Sequence, residues 1–347
     1  MSADVDTSIF LLRLPTVSVL DLVGKDAAAI LHNLTTNEVK SLSVDGPGVE
    51  SFITNVKGKC IGHGMIFRTD RGYRLIGAAG QSDAIATQMD RYTIREDAEP
   101  DVIDDQVHPY LLVGPLPDEP RTFRELSDGG DACVPSYGVP WIDTPQGRRG
   151  RLILADPTSQ WSPDQIALAA LAGHDVAAAD SLQCLEGDHA RDAFHALRVT
   201  AGYPWYGTDF NDSHLPQEVN REPETISFTK GCYLGQETIA RLDALGQVQK
   251  KLVLWSIADF TGGPLPAVDT KLFAGGEKPV GRLTSIAREV SADGLSRDGL
   301  KADGSSTDSA EQRVAAIGFA RRSHFEVGGE ATGTLDNKSF LAKVERA

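Results

Sequence analysis

Apolar and polar positions recur with two different periods in the first third of the chain. Residues 18–42 predict a strand, a turn at Gly24 and a helix with apolar positions three and four apart. Residues 49–78 alternate as antiparallel strands do, and a second helix is predicted from about Ser82 to Tyr92. A further strand closes at the Gly114–Pro115 break. The order β-α-β-β-α-β is the split βαβ, ferredoxin-like arrangement, in which helices cover one face of an antiparallel sheet.

The middle of the chain predicts a second α+β unit. Residues 118–131 are acidic and rich in Pro, Gly and Asp, which predicts an exposed loop. A strand follows at 150–156, then a helix at 162–172 with Ser162 as its cap, and then a helix that ends at Gly202.

The pattern changes to short strands from about Lys250, which predicts a C-terminal antiparallel β-barrel. The run at 292–312 has almost no apolar residues and predicts a mobile loop between two barrel strands. We therefore predict an α+β protein with three regions, at 1–116, 117–245 and 246–347. The first two contain ferredoxin-like split βαβ units.

Composition limits the functions that this chain can have. Its 347 residues include 34 Lys and Arg against 49 Asp and Glu, and the net charge of −15 disfavours direct nucleic-acid binding. The four cysteines lie far apart without metal-ligand spacing, so no intrinsic metal is predicted. No apolar run approaches the roughly 20 residues that span a bilayer, and the start has no leader pattern. We expect a cytoplasmic protein with reduced thiols and no membrane partner.

The segment KGCYLGQE at 230–237 places one cysteine between two glycines. Gly231 and Gly235 permit positive φ or close backbone approach, and the cations Lys230 and Arg241 would favour the thiolate form of Cys232. A thiolate is the reactive species. The alternative on spacing alone is a buried structural cysteine in a tight turn before a helix.

A second candidate site lies between Gly202 and Asn220, where aromatic side chains accompany carboxylates and an amide. A planar heteroaromatic ligand stacks on such rings while a carboxylate accepts from its N–H groups. Glu218 is the carboxylate that we expect to do this. The alternative is that the aromatics are core residues and that Glu218 is a helix-terminal charge. The residues concerned are Tyr203, Trp205, Tyr206, Asp209, Phe210, Gln217 and Glu218.

Several segments together resemble the YgfZ branch of the superfamily that also contains the glycine-cleavage T-protein. The branch pattern K-G-C-Y-x-G-Q-E is complete from Lys230 to Glu237, so the match is specific. The resemblance extends over nearly the whole chain except the loops at 116–132 and 290–312. The matching segments are VGKDAAAILHNLTTN at 23–37, ALRVTAGYPWYGTDFNDSHLPQEVN at 196–220, ISFTKGCYLGQETIAR at 226–241, KPVGRLTSIA at 278–287 and AAIGFARR at 315–322.

The resemblance implies a protein that binds tetrahydrofolate or a derivative, with its three regions packed as a ring around a central opening. It also implies a role in assembly or repair of iron–sulfur clusters in client enzymes, including radical enzymes that modify tRNA. Cys232 is then the reacting residue, and iron–sulfur client proteins or assembly factors are the partners. The predicted folate site comprises Glu218, Gln217, Trp205, Tyr206, Lys230, Tyr233, Gln236, Glu237 and Arg241.

Two other functions remain open. One is a T-protein-like aminomethyltransferase or methyltransferase that passes a one-carbon unit to tetrahydrofolate. By alignment, Gly62 and His63 replace the Asp-Asp pair that this chemistry uses, so no carboxylate remains there, and the cysteine pattern favours the YgfZ-like role. The other is a folate-responsive scaffold without chemistry. Residues 242–251 also lack the arginine-rich strand of many branch members, which implies a different or weaker partner contact.

Overall fold

The computed structural model describes residues 8–116, 123–127, 133–144, 147–159, 161–171, 182–246, 248–258, 263–289, 313–336 and 338–346. A short 3-10 helix, Asp104–Gln106, lies between the strands Glu99–Val102 and His108–Gly114. In chain order the elements are β1 (Ile9–Arg13), β2 (Ser18–Val23), α1 (Ala27–Leu34), β3 (Val49–Thr54), β4 (Cys60–Thr69), β5 (Gly72–Gly77), α2 (Ser82–Tyr92), β6 (Glu99–Val102), β7 (His108–Gly114), β8 (Phe123–Ser127), β9 (Cys133–Asp143), β10 (Arg149–Ala155), α3 (Pro163–Leu171), β11 (Leu182–Leu185), α4 (Gly187–Thr200), α5 (Pro216–Val219), α6 (Glu222–Thr225), α7 (Gln236–Leu245), β12 (Lys250–Ala258), β13 (Lys271–Leu272), β14 (Gly281–Arg288), β15 (Val314–Arg321), β16 (Glu330–Leu335) and β17 (Lys338–Arg346).

The first sheet has the strand order β3-β4-β5-β2-β6, with every neighbouring pair antiparallel. Because β2 is antiparallel to both β5 and β6, those two strands are parallel, and β5-α2-β6 is a split βαβ unit. Helices α1 and α2 bury Leu31 and Met89 against the sheet. The predicted α+β class is confirmed, as are the predicted bounds of α2.

The second sheet has the order β11-β1-β7-β10-β9-β8. Strand β7, which the sequence pattern assigned to the first unit, pairs with β1 and β10 here instead. The first unit therefore ends with β6. The predicted exposed loop at 118–131 is wrong for Phe123–Ser127, which pair with β9 as strand β8. The rest of that predicted loop lies outside the described residues.

Helices α3 and α4 confirm the predicted start and stop signals. The Ser162 hydroxyl accepts from the Gln165 backbone N–H at 3.2 Å, and the Gln165 side chain accepts from the Ser162 N–H at 2.8 Å. This reciprocal pair is a capping box, with Pro163 at the first helical position. Helix α4 ends just before Gly202, whose φ of +66° closes the turn.

The third sheet, of order β13-β14-β15-β12-β17-β16, is the predicted C-terminal barrel. Phe273 and Thr332 exchange backbone hydrogen bonds of 2.8 and 2.7 Å, and this bridge joins the two edge strands. The joined edges leave a nearly closed barrel around Trp255, which is fully buried. The predicted mobile loop at 292–312 falls outside the described residues, between the neighbouring strands β14 and β15.

A buried ion pair ties the barrel to helix α4. Arg198 on α4 donates to the Asp209 carboxylate at 2.7 Å, and the hydroxyls of Thr284 and Ser285 on β14 both donate to the same carboxylate at 2.6 Å. Because every partner is buried, this cluster fixes the barrel against the preceding region. The domain boundaries at 116/117 and 245/246 stay predictions. The second sheet contains strands from both sides of the 116/117 boundary. No helix in the described ranges is long and apolar enough to cross a membrane.

Candidate functional site

The segment Lys230–Glu237 is a turn that leads into helix α7. Cys232 is exposed, so the alternative of a buried structural cysteine is wrong. Gly235 precedes the helix with a φ of +81°, a conformation that side chains with a Cβ adopt at a cost. Gly235 therefore has the positive φ that the sequence permitted, whereas Gly231 is not among the described glycines with positive φ. The Cys232 side chain is thus exposed on the turn that precedes helix α7.

Lys230 is buried, and its amino group binds the end of helix α1. The Nζ atom donates to the carbonyls of His32, Thr35 and Asn37 at 2.8, 2.7 and 2.8 Å. These three bonds use all three N–H groups of an ammonium. Burial lowers the pKa of Lys230 to about 8, so the group is still mostly charged at pH 7. Lys230 therefore fixes the cysteine turn onto α1, and its role as a folate ligand stays a prediction.

Two further backbone contacts hold the same turn against the first region. The Leu234 N–H donates to the Asn33 carbonyl at 2.8 Å, and the Thr54 hydroxyl donates to the Leu234 carbonyl at 2.6 Å. Gly235 lies directly on the β3–β4 hairpin turn, near Gly58. The position of Cys232 is thus set by residues that lie nearly 200 positions earlier in the sequence.

The other predicted residues of this segment divide into a buried and an exposed group. Tyr233 is buried with Ile226 and Ile239, and this burial raises the pKa of its phenol to about 12. Gln236 is half-buried in the first turn of α7, whereas Glu237 and Arg241 are exposed on that helix. Their predicted roles at the folate or at the thiol remain predictions.

The aromatic residues at 203–210 do not form one pocket wall. Trp205 packs edge-to-face on Trp141 and Phe194, with ring centroids 5.0 Å apart in both cases, and is a partly buried residue against the core cluster that contains Trp141. Tyr206 instead packs against Phe210, in a separate cluster that includes Cys60. Burial raises the pKa of Tyr206 to about 12. For Trp205, the alternative that the ring is a core residue therefore agrees better with the structure than the prediction that it stacks on a planar ligand.

Glu218 lies in the short helix α5. One carboxylate oxygen accepts the Leu215 backbone N–H at 2.9 Å, and the other lies 3.8 Å from Lys250 Nζ. The side chain is 15% exposed. Its neighbour Gln217 donates to the Ile239 carbonyl at 2.8 Å, while its own Oε1 is buried without a partner in the described part of the chain.

A pocket of about 400 Å³ lies where the segment after Glu218 meets the residues that follow helix α4 and the barrel. We call it the junction pocket. Its charged side chains come from Arg221, Lys251, Arg346, Glu222 and Glu224. Its walls also contain Gly202, Pro204, Val219, Asn220, Pro223, Leu252, Val253, Leu254 and Ile317. None of the predicted folate ligands is among these lining residues.

Arg221 connects the junction pocket with the first sheet through Glu50. The guanidinium donates two hydrogen bonds of 2.6 Å to the Glu50 carboxylate, which also binds the imidazole of His63 at 2.8 Å. Glu50 is fully buried, and although burial opposes ionisation, the charge of Arg221 and bonds from His63 and Arg221 hold the pKa of Glu50 well below its usual range. The structure therefore supplies a carboxylate beside His63, which alignment did not show.

Sequence reasoning missed Glu50, Arg221 and Arg346. A glutamate inside the apolar strand pattern VESFIT is the one available signal, because a buried carboxylate requires a partner. Within the described ranges, no three His, Cys, Asp or Glu side chains are grouped to hold a metal ion.

No family model matches the chain, whereas curated proteins named "tRNA-modifying protein YgfZ" do. The protein from Klebsiella pneumoniae is 27% identical over 261 residues, which cover 71% of this chain and 72% of that protein. The protein from Vibrio vulnificus strain YJ016 is 26% identical over 66% of this chain and 64% of its own length. A protein from Colwellia psychrerythraea is 38% identical over 65 residues, 20% of its length. The match thus spans less than two thirds of the last two proteins.

A solved structure with the same fold is the glycine cleavage system aminomethyltransferase T from Bartonella henselae. The TM-score is 0.71 with 15% sequence identity, over 98% of this chain and 86% of that one. At this identity the likeness shows the fold alone.

Proposed function

We propose that the chain belongs to the superfamily that contains the YgfZ-type proteins and the glycine-cleavage T-protein, because it is similar to curated YgfZ proteins over most of its length. We further propose that it binds a tetrahydrofolate and supports iron–sulfur enzymes in the cytoplasm. Enzymes that modify tRNA are the proposed clients, and contact with them is by protein rather than by RNA. The observation that carries the proposal is the complete cysteine pattern, with Cys232 exposed on a turn that three elements of the first region hold in place.

The junction pocket fits the folate part of this proposal. Its volume of about 400 Å³ lies within the range of small-molecule sites, roughly 300–1,000 Å³. Lys251 and Arg346 offer cationic donors for the carboxylates of a folate, and Leu252 and Ile317 offer apolar wall for its rings. Glu218 precedes the lining residue Val219 in the chain but does not itself line the pocket. A bound tetrahydrofolate supplies a carrier for one-carbon units.

Cys232 is the proposed reacting group. A single cysteine does not hold an iron–sulfur cluster by itself, so a cluster would be shared with a partner protein or a second copy. The exposed position of the thiol permits such sharing.

The test is rescue of a tRNA-thiolating iron–sulfur enzyme in a bacterial host that lacks its own YgfZ-type protein. We expect wild type to restore tRNA thiolation and Cys232→Ser to fail at equal protein level. Cys184→Ser is the matched control, because Cys184 is half-buried on β11 and is expected to rescue. Equal rescue by Cys232→Ser would remove the cysteine from the mechanism, and failure of wild type would contradict the iron–sulfur role.

The aminomethyltransferase alternative draws on the shared fold and on the carboxylate beside His63. Glu50 is fully buried and is bound by Arg221, so it is a poor proton donor to a ligand in the pocket. Release of ammonia from an aminomethylated lipoyl carrier, dependent on tetrahydrofolate, is the result that would favour this function. A scaffold without chemistry predicts instead that alkylation of Cys232 leaves function intact.

A further inference from the structure

One nitrogen of the Arg221 guanidinium is accessible at the junction pocket. The other two, Nε and Nη2, each donate to the Glu50 carboxylate at 2.6 Å. Nη1 has no hydrogen-bond partner among the described residues, and it is not among the buried side-chain atoms that lack a partner, so it is open to solvent. Because Arg221 lines the junction pocket, the two N–H groups of Nη1 are available to a ligand there.

Glu50 and Tyr203 fix the orientation of that guanidinium. The two bonds to Glu50 hold its plane, and its carbon atom lies 4.8 Å from the centre of the Tyr203 ring. Although burial lowers the pKa of Arg221, the charge of Glu50 and the bonds to it raise the pKa above its ordinary value. The donor is therefore charged and already in place, which reduces the cost of ordering it when a ligand binds.

Arg346, on β17, brings a second guanidinium to the same pocket. Its Nη2 atom donates to the Ala201 carbonyl, and the guanidinium occupies the space that a side chain at Gly202 would fill. No carboxylate of the described residues is close enough to form an ion pair with Arg346. Its remaining N–H groups thus have no anionic partner in the described part of the chain.

The two guanidinium groups lie near enough to repel each other. Desolvation and then the positive charge of Arg221 lower the pKa of Arg346, whereas the carboxylates of Asp143, Glu224 and Glu345 raise it from beyond ion-pair distance. An anion held between two such cations removes their repulsion and gains from both charges.

The third cation of the pocket is already neutralised. Lys251 Nζ donates to the Asn220 side-chain oxygen at 3.0 Å and to the Glu222 carboxylate at 3.2 Å. Glu224, by contrast, lines the pocket as an exposed carboxylate without an ion pair to a described residue. Its negative charge opposes the binding of an anion, so its removal provides a test of opposite sign.

We propose that the junction pocket is an oxyanion site in which Arg221 and Arg346 together hold one carboxylate or phosphate group, and that Glu50 positions Arg221 for this role. Guanidinium groups bind such oxyanions through paired N–H···O bonds in a fixed geometry. In a folate the group is a carboxylate of the glutamyl end, and this identification rests on the proposed function. A free phosphate is the other source of the same chemistry.

The test measures by calorimetry how wild type and Arg346→Gln bind tetrahydrofolate, 6-methyltetrahydropterin, which has no glutamyl end, and inorganic phosphate. We expect Arg346→Gln to weaken the binding of tetrahydrofolate about tenfold and to leave the binding of the pterin unchanged. Arg346 is exposed, so the variant should fold. Arg91→Gln, exposed on α2, is the matched control and should change neither affinity. Glu218→Ala should weaken both ligands, because its proposed partner is the ring.

The probes distinguish the two sources of the anion. Weaker tetrahydrofolate binding in Arg346→Gln, with unchanged pterin binding, identifies the glutamyl carboxylate. Phosphate binding that is lost in Arg346→Gln, with unchanged tetrahydrofolate binding, supports the oxyanion site with a free phosphate as its occupant. The proposal is overturned if neither affinity depends on Arg346, or if Arg346→Gln weakens the pterin as much as tetrahydrofolate.

Two further variants test the charges on either side of the anion. Glu224→Gln should strengthen binding of the same anion about twofold, a gain that damage to the fold does not produce. Arg221→Lys keeps the charge but loses the planar fork, and should weaken binding about tenfold. If Arg221→Lys does not fold, Arg346→Gln and Glu224→Gln still decide.

The oxyanion site and the folate function fail in different ways. If wild type does not bind tetrahydrofolate, the proposed folate function fails, whereas the dependence of phosphate binding on Arg346 still decides on the oxyanion site. If Arg346→Gln binds tetrahydrofolate as tightly as wild type and neither protein binds phosphate, only the oxyanion proposal fails.

Discussion

Gly235 and Gly58 pack backbone to backbone; Gly235 has no room for a side chain, and a Cβ on Gly58 would lie only 3.1 Å from the Gly235 carbonyl oxygen. A Cβ on Gly235 would lie 2.6 Å from Gly58 Cα and 2.5 Å from the Asn55 carbonyl oxygen. Both glycines have positive φ, of +81° and +74°. This contact joins the cysteine turn to the β3–β4 hairpin of the first region.

Gly235→Ala should therefore destabilise the protein by more than backbone conformation alone explains. Gly207→Ala is the matched control, because Gly207 has the same φ of +81° and, apart from its chain neighbours, no atom of the described residues lies within 4 Å of its missing Cβ. We expect a loss of about 1 kcal/mol for Gly207→Ala and at least about 2 kcal/mol for Gly235→Ala in urea unfolding. Equal losses of stability in the two variants would show that the β3–β4 hairpin shifts away from the new side chain at position 235 without a cost in free energy.

Removal of the Glu50 carboxylate should be among the most destabilising single changes. Glu50→Gln leaves Arg221 buried without its ion pair, and loss of one member of such a pair costs about 3–5 kcal/mol. Glu330→Gln on the barrel surface, 3.7 Å from Lys343 in an exposed pair, should change the free energy of unfolding by less than about 1 kcal/mol.

The same carboxylate predicts a dependence of stability on pH. Since the folded state lowers the pKa of Glu50, its contribution is present above the ordinary value of 4.5 and is lost as pH falls below it. We expect the free energy of unfolding of wild type to fall more steeply below pH 4.5 than that of Glu50→Gln. If the free energy of unfolding of the two proteins fell equally with pH, the lowered pKa assigned to Glu50 would be contradicted.

Lys230→Met should loosen the cysteine turn. The change leaves three carbonyls at the end of α1 without their donor, at a cost of roughly 2–3 kcal/mol. Lys57→Met, on the exposed hairpin turn, is the control. Hydrogen exchange should show faster exchange of the Leu234 amide in Lys230→Met. Unchanged protection of that amide would argue that Lys230 does not hold the turn on helix α1.

We expect the affinity for folate to depend on Glu218 and on Lys251 of the junction pocket. Glu218→Ala should weaken folate binding about tenfold or more, because ring donors lose their acceptor at a cost of roughly 1–3 kcal/mol. Lys251→Ala should weaken it about tenfold if the folate carboxylates lie in the junction pocket. Calorimetric titration decides, with exposed Lys271→Ala as control. Unchanged affinity in Glu218→Ala would remove that residue from the site.

Local signals in the sequence predicted the elements well. The bounds of α2, the cap at Ser162 and the stop at Gly202 follow from residues within one turn of each other. Strand β1 was missed, because a five-residue apolar run without alternation or a following helix carries little information. Strand β8 was missed because acidic, Pro- and Gly-rich flanks on both sides indicate a loop.

The site was predictable only in part. The cysteine pattern identified the turn, whereas the partners of Lys230, at His32 and Thr35, are almost 200 residues away in the chain. Glu50 and Arg221 are 171 positions apart, so no local pattern relates them. Such contacts depend on how sheets and helices pack, which periodicity does not encode.

Strand β1 also constrains how the molecule is made. It lies between β7 and β11, in parallel register with Leu182–Leu185, so its sheet stays incomplete until those residues have left the ribosome. Until then, one edge of an apolar N-terminal strand has no partner, and such edges promote misassembly in nascent chains. We expect the first sheet, β2 to β6, to form early because its contacts are closer in sequence, with the cysteine turn docking onto it late.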